Sequence, residues 1–226
     1  MISKSKVAGL AATALSVLPL PAALAATDQE TLVDRSRITI DDLKRDPAFG
    51  SARDLMHHAR AILIVPRLFK AGFFFGGEGG KAVLLVHGAN GGWSAPAFYT
   101  IGSASFGLQI GLEQSEMVVF VMSQKALDAI IHDKFKIGAD AGIAVATLGS
   151  NVEGGTTAAV GADIVSWASS SGAYAGISLN GSIIAPSHDD DAAYYGHAEP
   201  TQQIIYHNSD RDPNGTALRQ SLASVR

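Results

Sequence analysis

Basic and aromatic residues lie side by side in the middle of the chain, a combination that can contact a membrane surface. Arg67, Lys70 and Lys81 flank the four phenylalanines of segment 69–75. Alternation along a strand would turn Phe74 to the face opposite its two neighbours. An exposed aromatic ring beside cations is suited to anchor a protein in the membrane interface. The alternative is that every phenylalanine is buried and the cations only border the sheet.

A second group of cations lies in the first predicted helix, over residues 27–45. Arg35 and Arg37 lie near its middle, and three aspartates of the same segment largely cancel the positive charge. We therefore expect this helix to favour a zwitterionic surface or a partner over a strongly anionic surface.

Motifs for other chemistries are incomplete. Segment 76–81 reads GGEGGK but lacks the Ser or Thr that follows the lysine of a phosphate-binding loop, so it is predicted to form a tight hairpin. The chain has no GxSxG serine nucleophile motif. His57 and His58 are adjacent and point to different helix faces, and segment 188–191 lacks EF-hand spacing and is predicted to be a solvated loop. The sequence predicts no catalytic residue, no metal and no cofactor.

The first 25 residues have the pattern of a cleaved export signal. Lys4 and Lys6 precede an apolar stretch over 7–20, and Ala23 and Ala25 form a small-x-small cleavage site. The protein is therefore expected to be exported, periplasmic or secreted, and it could lie peripherally on a membrane. The chain contains no cysteine, which excludes both a lipid anchor at the cleavage site and disulfides.

Charge argues against one class of partner. The chain carries 17 Lys+Arg against 21 Asp+Glu, a formal net charge of −4, and a cleaved signal would remove two of the lysines. A general nucleic-acid-binding protein would carry a basic surface, so no nucleic-acid partner is expected. Binding to anionic lipid would require a local basic patch.

Hydrophobic periodicity predicts helices first, strands next and a helix last. The first helix ends at Asp46-Pro47, a second covers 52–60 with Ser51 as its N-cap, a third is inserted after the N-cap Ser123, and the last follows a turn at 212–215. Strands are predicted over 61–65 (ended by Pro66), 72–76, 82–86, 98–112, 117–122, 141–147, 158–166, 173–184 and 203–206.

This order of elements predicts an α+β fold. N-terminal helices precede a glycine-rich, mainly antiparallel curved sheet or barrel with one inserted helix and a C-terminal helix. One domain is expected over 26–226, with a helical part at 27–60, a β-rich core at 61–206 and a C-terminal turn and helix at 207–226.

Four spaced segments carry a family resemblance: Trp93-Ser94-Ala95-Pro96, residues 107–111, segment 166–181 and Tyr195-Gly196. Together they resemble the SYLF domain, a lipid-binding family also known from yeast actin-patch proteins. Trp93-Ser94-Ala95-Pro96 is similar to its WSAP element and residues 107–111 to its GLQIG element. Segment 166–181 resembles its late serine-rich turn and strand, and Tyr195-Gly196 its closing YG. The resemblance covers about residues 30–222.

The resemblance implies a non-enzymatic phospholipid-binding module. Eukaryotic members bind phosphoinositides and some bind actin, whereas bacterial members are exported, so actin is not an expected partner here. Trp167 and Ala168 replace a common Tyr and Ser, and Ser170-Ser171 lie where a basic residue is common, which weakens any transfer of phosphoinositide contacts. An envelope structural or protein-interaction domain without lipid binding and an unrecognised hydrolase are the alternatives. The lipid headgroup and the oligomeric state are left open.

Overall fold

The structure, a computed structural model, describes most of the chain that follows the predicted signal. The described residues are 26–46, 49–72, 75–88, 91–106, 111–132, 134–137, 145–148, 161–170, 181–207, 212 and 214–225. The predicted signal at 1–25 lies outside them. None of the described helices has the length and apolar character needed to cross a bilayer.

The described residues form six helices and eight strands. The helices are α1 (Asp28–Arg45), α2 (Phe49–His58), α3 (Gln124–His132), α4 (His188–Tyr195), α5 (Thr201–His207) and α6 (Thr216–Ala223). The strands are β1 (Ala61–Gly72), β2 (Phe75–Val86), β3 (Ala97–Phe106), β4 (Gly111–Val121), β5 (Phe135–Lys136), β6 (Val145–Leu148), β7 (Ile164–Ser170) and β8 (Ile183–Pro186).

All eight strands belong to one curled sheet, in the order β5-β8-β3-β2-β1-β4-β7-β6. Neighbouring strands run antiparallel, except that β6 and β7 are parallel. The hairpin of β1 and β2 occupies the centre, with β3 on one side and β4 on the other. The predicted α+β class and mainly antiparallel curved sheet are confirmed.

The sheet is buried on both faces, which explains the continuous apolar stretches of its central strands. Along β1, Ala61, Leu63 and Val65 belong to one core, and Ile62 and Ile64 belong to the other. Helices α3 and α5 cover the first face, and α1, α2 and α6 cover the second. The second face, here called the α1 face, carries the candidate site.

A β-bulge interrupts the regular alternation of β1. Val65 and Leu68 belong to the same core although their positions differ by three, an odd number, and the register with both neighbouring strands shifts in this interval. The extra residue lies at Pro66–Arg67, where a bulge tolerates a proline that could not donate a regular ladder hydrogen bond. The bulge turns Arg67 and Phe69 towards the α1 face.

Helix ends follow their sequence signals in two places. A capping box closes the start of α1, because Thr27 Oγ1 accepts from the Glu30 amide and Glu30 Oε2 accepts from the Thr27 amide. At α3, the Ala126 amide donates to Ser123 Oγ over 3.2 Å, which confirms the predicted cap.

Several predicted strand boundaries are wrong because tertiary pairing decided them. β1 continues through Pro66 to Gly72, the first residue of the predicted strand 72–76. Residues 75–76 and the predicted strand 82–86 belong to one strand, β2, which also contains the predicted hairpin GGEGGK. The predicted strand 98–112 is divided between β3 and β4, which lie on opposite sides of the β1–β2 hairpin.

Two further local predictions are wrong, and others extend beyond the described residues. Residues 203–206, predicted to form a strand, lie in helix α5, where Ile204 and Ile205 both face the core. Two adjacent apolar residues are compatible with a strand as well as with a helix, so the sequence did not distinguish them. Ser51 lies inside α2 and does not cap it. Only parts of the predicted strands 141–147, 158–166 and 173–184 fall within the described residues.

Gly80 provides a test of the bulge. A Cβ atom at this position would overlap the backbone carbonyl oxygen of Arg67, so Gly80→Ala would have to displace backbone. We expect it to lower the free energy of unfolding by about 1–3 kcal/mol, measured by urea denaturation. Gly102→Ala is the matched control, because its Cβ would lie 3.6 Å from the nearest atom, the Glu78 carbonyl oxygen. Equal stability losses in both variants would contradict the role assigned to Gly80.

Candidate functional site

A groove lies on the α1 face between the N-terminal half of α1 and the sheet. Residues of α1 form one wall, and β1, β2 and β3 form the floor. Its volume is about 620 Å³, within the range of small-molecule sites. The groove is lined by Asp28, Thr31, Leu32, Arg35, Pro66, Arg67, Phe69, Gly80, Lys81, Thr100 and Ile101.

Three cationic side chains from three different elements meet in this groove: Arg35 of α1, Arg67 of β1 and Lys81 of β2. Arg67 is exposed and Arg35 is half-buried. Among the residues that the structure describes, no carboxylate forms an ion pair with either arginine. Both guanidinium groups are therefore available to an anionic ligand.

Apolar side chains lie beside these cations. Leu32 and Pro66 line the groove, together with the ring of Phe69, whereas the side chain of Ile101 belongs to the core on the opposite face of the sheet. Phe69 is 53% exposed, among the most exposed large hydrophobic residues described. A groove of this kind can hold the hydrocarbon part of an amphiphile while its cations hold the polar part.

Asp190 fixes the position of Lys81. Its Oδ1 atom accepts hydrogen bonds from Lys81 Nζ at 2.7 Å and Gln29 Nε2 at 2.8 Å, and its Oδ2 atom accepts from Ser187 Oγ at 2.7 Å. Burial alone would raise the pKa of Asp190, but these hydrogen bonds and the charge of Lys81 lower it below its usual value. Asp190 is thus a stable carboxylate that joins α4 to α1 and β2 at the edge of the groove.

The adjacent carboxyl, Asp191, is in a different environment. Its side chain is fully buried, and one oxygen accepts from the Phe98 amide at 2.8 Å. The other oxygen has no hydrogen-bond partner in the described part of the chain, although His188 Nδ1 lies 4.0 Å away. Burial, assisted by the charge of Asp190, raises the pKa of Asp191 to about 7. The predicted solvated loop at 188–191 is therefore wrong, since these residues form the first turn of α4.

The structure brings three of the six predicted contact residues together. Arg35, Arg67 and Lys81 line one groove, although they are far apart in sequence. Arg37 lies elsewhere on α1 and forms a 2.9 Å ion pair with Asp41. The other two, Lys70 and Phe74, are considered separately below.

Two predicted contacts cannot be placed in the groove from the described residues. The backbone of Lys70 pairs with Glu78 of β2 and Glu113 of β4, and its side chain lies outside the description, as does the whole of Phe74. Sequence reasoning selected Phe74 as the aromatic anchor and passed over Phe69. The spacing of Arg67 and Phe69, two residues apart in a strand, was the signal that could have joined them on one face.

Other chemistries find little support in the described residues. They contain no group of three His, Asp or Glu side chains arranged to hold a metal ion. Lys81 follows Gly80 within strand β2, whereas a phosphate-binding loop joins a strand to a helix.

The chain belongs to the Ysc84 family, described as "Las17-binding protein actin regulator", which matches residues 102–225. This is the SYLF family that the sequence motifs indicated, so that prediction is confirmed.

Relatives from fungi and mammals share the similarity. The chain is 32% identical over 136 residues to an SH3 domain-containing protein of Schizosaccharomyces pombe, covering 59% of this chain and 32% of the relative. It is 28% identical over 163 residues to SH3 domain-containing YSC84-like protein 1 of Bos taurus, covering 72% and 48%. It is 25% identical over 185 residues to LAS seventeen-binding protein 3 of Saccharomyces cerevisiae, covering 79% and 39%. The chain thus spans less than half the length of each of these relatives.

Asp191 predicts how stability depends on pH. A carboxyl whose pKa is higher in the folded state than in the unfolded state binds its proton more tightly when folded, so stability falls as pH rises between the two values. With an unfolded pKa near 3.9 and a folded pKa of about 7, we expect the free energy of unfolding to fall by about 2 kcal/mol between pH 5.5 and pH 8.

Urea denaturation at a series of pH values measures this effect. Asp191→Asn should flatten the profile, because the amide does not titrate, while Asp189→Asn, which changes an exposed carboxylate of the same helical turn, should retain it. If the wild-type and Asp191→Asn profiles are parallel, Asp191 does not titrate in this range.

Proposed function

We propose that this protein is a non-enzymatic phospholipid-binding module that acts at a membrane surface. The observation that supports it most strongly is the convergence of Arg35, Arg67 and Lys81 on one groove that also presents the exposed ring of Phe69. Each of the three cations is contributed by a different element, so the fold brings them together.

The groove combines the two interactions that a phospholipid needs. A guanidinium group forms paired, charge-assisted hydrogen bonds with phosphate oxygens, and Arg35 and Arg67 are available for this. The Phe69 ring can enter the interfacial region, where aromatic side chains are favourable. Because the whole chain is acidic, attraction to phosphate must come from a local group of cations, and this groove contains one.

Two features support a binding role over catalysis. The groove has hydroxyl groups at Thr31 and Thr100, but its lining residues include no serine, cysteine or histidine that would form a common nucleophile–base pair. The relatives are named for what they bind or contain: LAS seventeen-binding protein 3 and SH3 domain-containing proteins. A hydrolase remains the least supported of the three functions considered.

We further propose that the protein acts outside the cytoplasm, after cleavage of the signal that residues 1–25 resemble. The expected mature N-terminus is Ala26, one residue before the Thr27 cap of α1. Mass spectrometry of the protein purified from its host would measure this end directly.

Protein binding is the second candidate function. It is favoured by the family description and by the name of the yeast relative, both of which refer to Las17 binding. If this second candidate is correct, the same groove or another surface binds a polypeptide, and the protein does not bind to phospholipid vesicles. The expectation of an envelope interaction module without lipid binding belongs to this candidate.

Vesicle co-sedimentation of residues 26–226 at two salt concentrations tests the lipid proposal. We expect salt-sensitive binding to phospholipid vesicles, weakened roughly fivefold by each of Arg35→Ser and Arg67→Ser, because one cation near lipid phosphates contributes about 1 kcal/mol. Arg37→Ser is the matched control, because it removes the same charge from α1 outside the groove. Absence of binding to any vesicle, or an equal effect of Arg37→Ser, would contradict the proposal.

Replacing the aromatic ring tests the apolar contact. Phe69→Ser should weaken vesicle binding about tenfold, because burying an aromatic side chain is favourable by roughly 1.5–3 kcal/mol. Tyr206→Ser is the control, since Tyr206 is 54% exposed but lies on α5, whose buried residues face the opposite core. The variant Phe74→Ser tests the anchor selected from the sequence. Unchanged affinity in both phenylalanine variants would refute an aromatic anchor in this segment.

A further inference from the structure

The groove contains a carboxylate as well as cations. Asp28, in the first turn of α1, lines it together with Arg35 and Arg67. We propose that the groove binds the headgroup of a single zwitterionic phospholipid, with its phosphate on Arg35 and Arg67 and its ammonium group on Asp28. This inference rests on the proposed phospholipid function and specifies the class of lipid.

Helix geometry places the opposite charges at suitable positions. Asp28 and Arg35 are seven residues apart, so they lie on the same face of α1 and about 10 Å apart along its axis. The long side chain of Arg35 can extend over part of this distance towards Asp28. The remaining distance suits a headgroup whose phosphate and ammonium groups are joined by a short linker. The groove is therefore dipolar along the helix.

Apart from its favourable negative charge in the first turn of α1, Asp28 has no ion-pair role in the described structure. The capping box uses Thr27 and Glu30, and Asp28 forms no ion pair within the described part of the chain. Its side chain is exposed. The carboxylate is thus available to a cationic group in the groove.

The charge balance also disfavours a strongly anionic headgroup. Lys81 is neutralised by its ion pair with Asp190, which leaves two guanidinium groups and one carboxylate. Two guanidinium groups match one phosphodiester, whereas a headgroup with several phosphates would meet too few cations and would be repelled by Asp28 at a distance where salt screens weakly. An ammonium group beside the phosphate changes that repulsion into attraction.

The test is a comparison of two vesicle types, phosphatidylcholine and phosphatidylglycerol, with wild-type protein, Asp28→Asn and the control Asp34→Asn. We expect Asp28→Asn to weaken binding to phosphatidylcholine roughly two- to fivefold, the range for an exposed ion pair. Binding to phosphatidylglycerol should stay equal or strengthen, because a repulsive charge is removed. Asp34 is exposed on the same helix and does not line the groove, so its variant should leave the ratio of the two affinities unchanged.

The outcomes separate this inference from the function on which it rests. Binding to vesicles with the same affinity ratio in wild type and Asp28→Asn would refute the zwitterionic assignment and leave phospholipid binding intact. A wild-type preference for phosphatidylglycerol would also refute it. Failure of the wild type to bind either vesicle would refute phospholipid binding itself. Thermal unfolding identifies a purely structural effect of Asp28 on α1, which would lower the melting temperature without altering the ratio.

Discussion

Burial of the β1–β2 hairpin on both faces is the constraint on which the rest of the structure depends. Ile62 and Ile64 project into one core while Leu63 and Val65 project into the other, so neither face can be left to water. Two layers of helix are therefore required, with α1, α2 and α6 on one side and α3 and α5 on the other. These helices lie before, between and after the strands in sequence, and the sheet is what brings them together.

The candidate site lies between α1 and strands β1, β2 and β3. The bulge at Pro66–Arg67 reverses the alternation of β1, so that Arg67 and Phe69 lie on the α1 face and line the groove beside the N-terminal half of the helix. Gly80 permits the bulge because it has no side chain to meet the Arg67 carbonyl. A local irregularity of the central strand thereby gives the groove both a cation and an aromatic ring. Asp190 completes the edge by holding Lys81.

The groove suggests a ligand chemistry that the family relationship alone does not. Membership of the Ysc84 family and the names of its relatives point to binding, yet they do not specify a ligand for this chain. The arrangement of two available arginines, one aspartate and apolar side chains is the basis on which we propose an amphiphile with a phosphate and an ammonium group. Lipid binding here would depend on a short-range match of charges, since the chain as a whole is acidic.

The sequence alone determined the class of fold, the family, the extent of α1 and the cap at Ser123, because these depend on composition, spaced motifs and contacts within a few residues. It also indicated Arg35, Arg67 and Lys81 as contact residues. Tertiary structure decided that these three meet, that Arg37 does not join them, and that Phe69 and Asp28 do. It also decided that residues 203–206 are helical and that Asp191 is buried. The reason is that the bulge changes which face of the sheet each later residue of β1 occupies. The extra residue is fixed by pairing with β2 and β4, and a period-two pattern in the sequence does not reveal it.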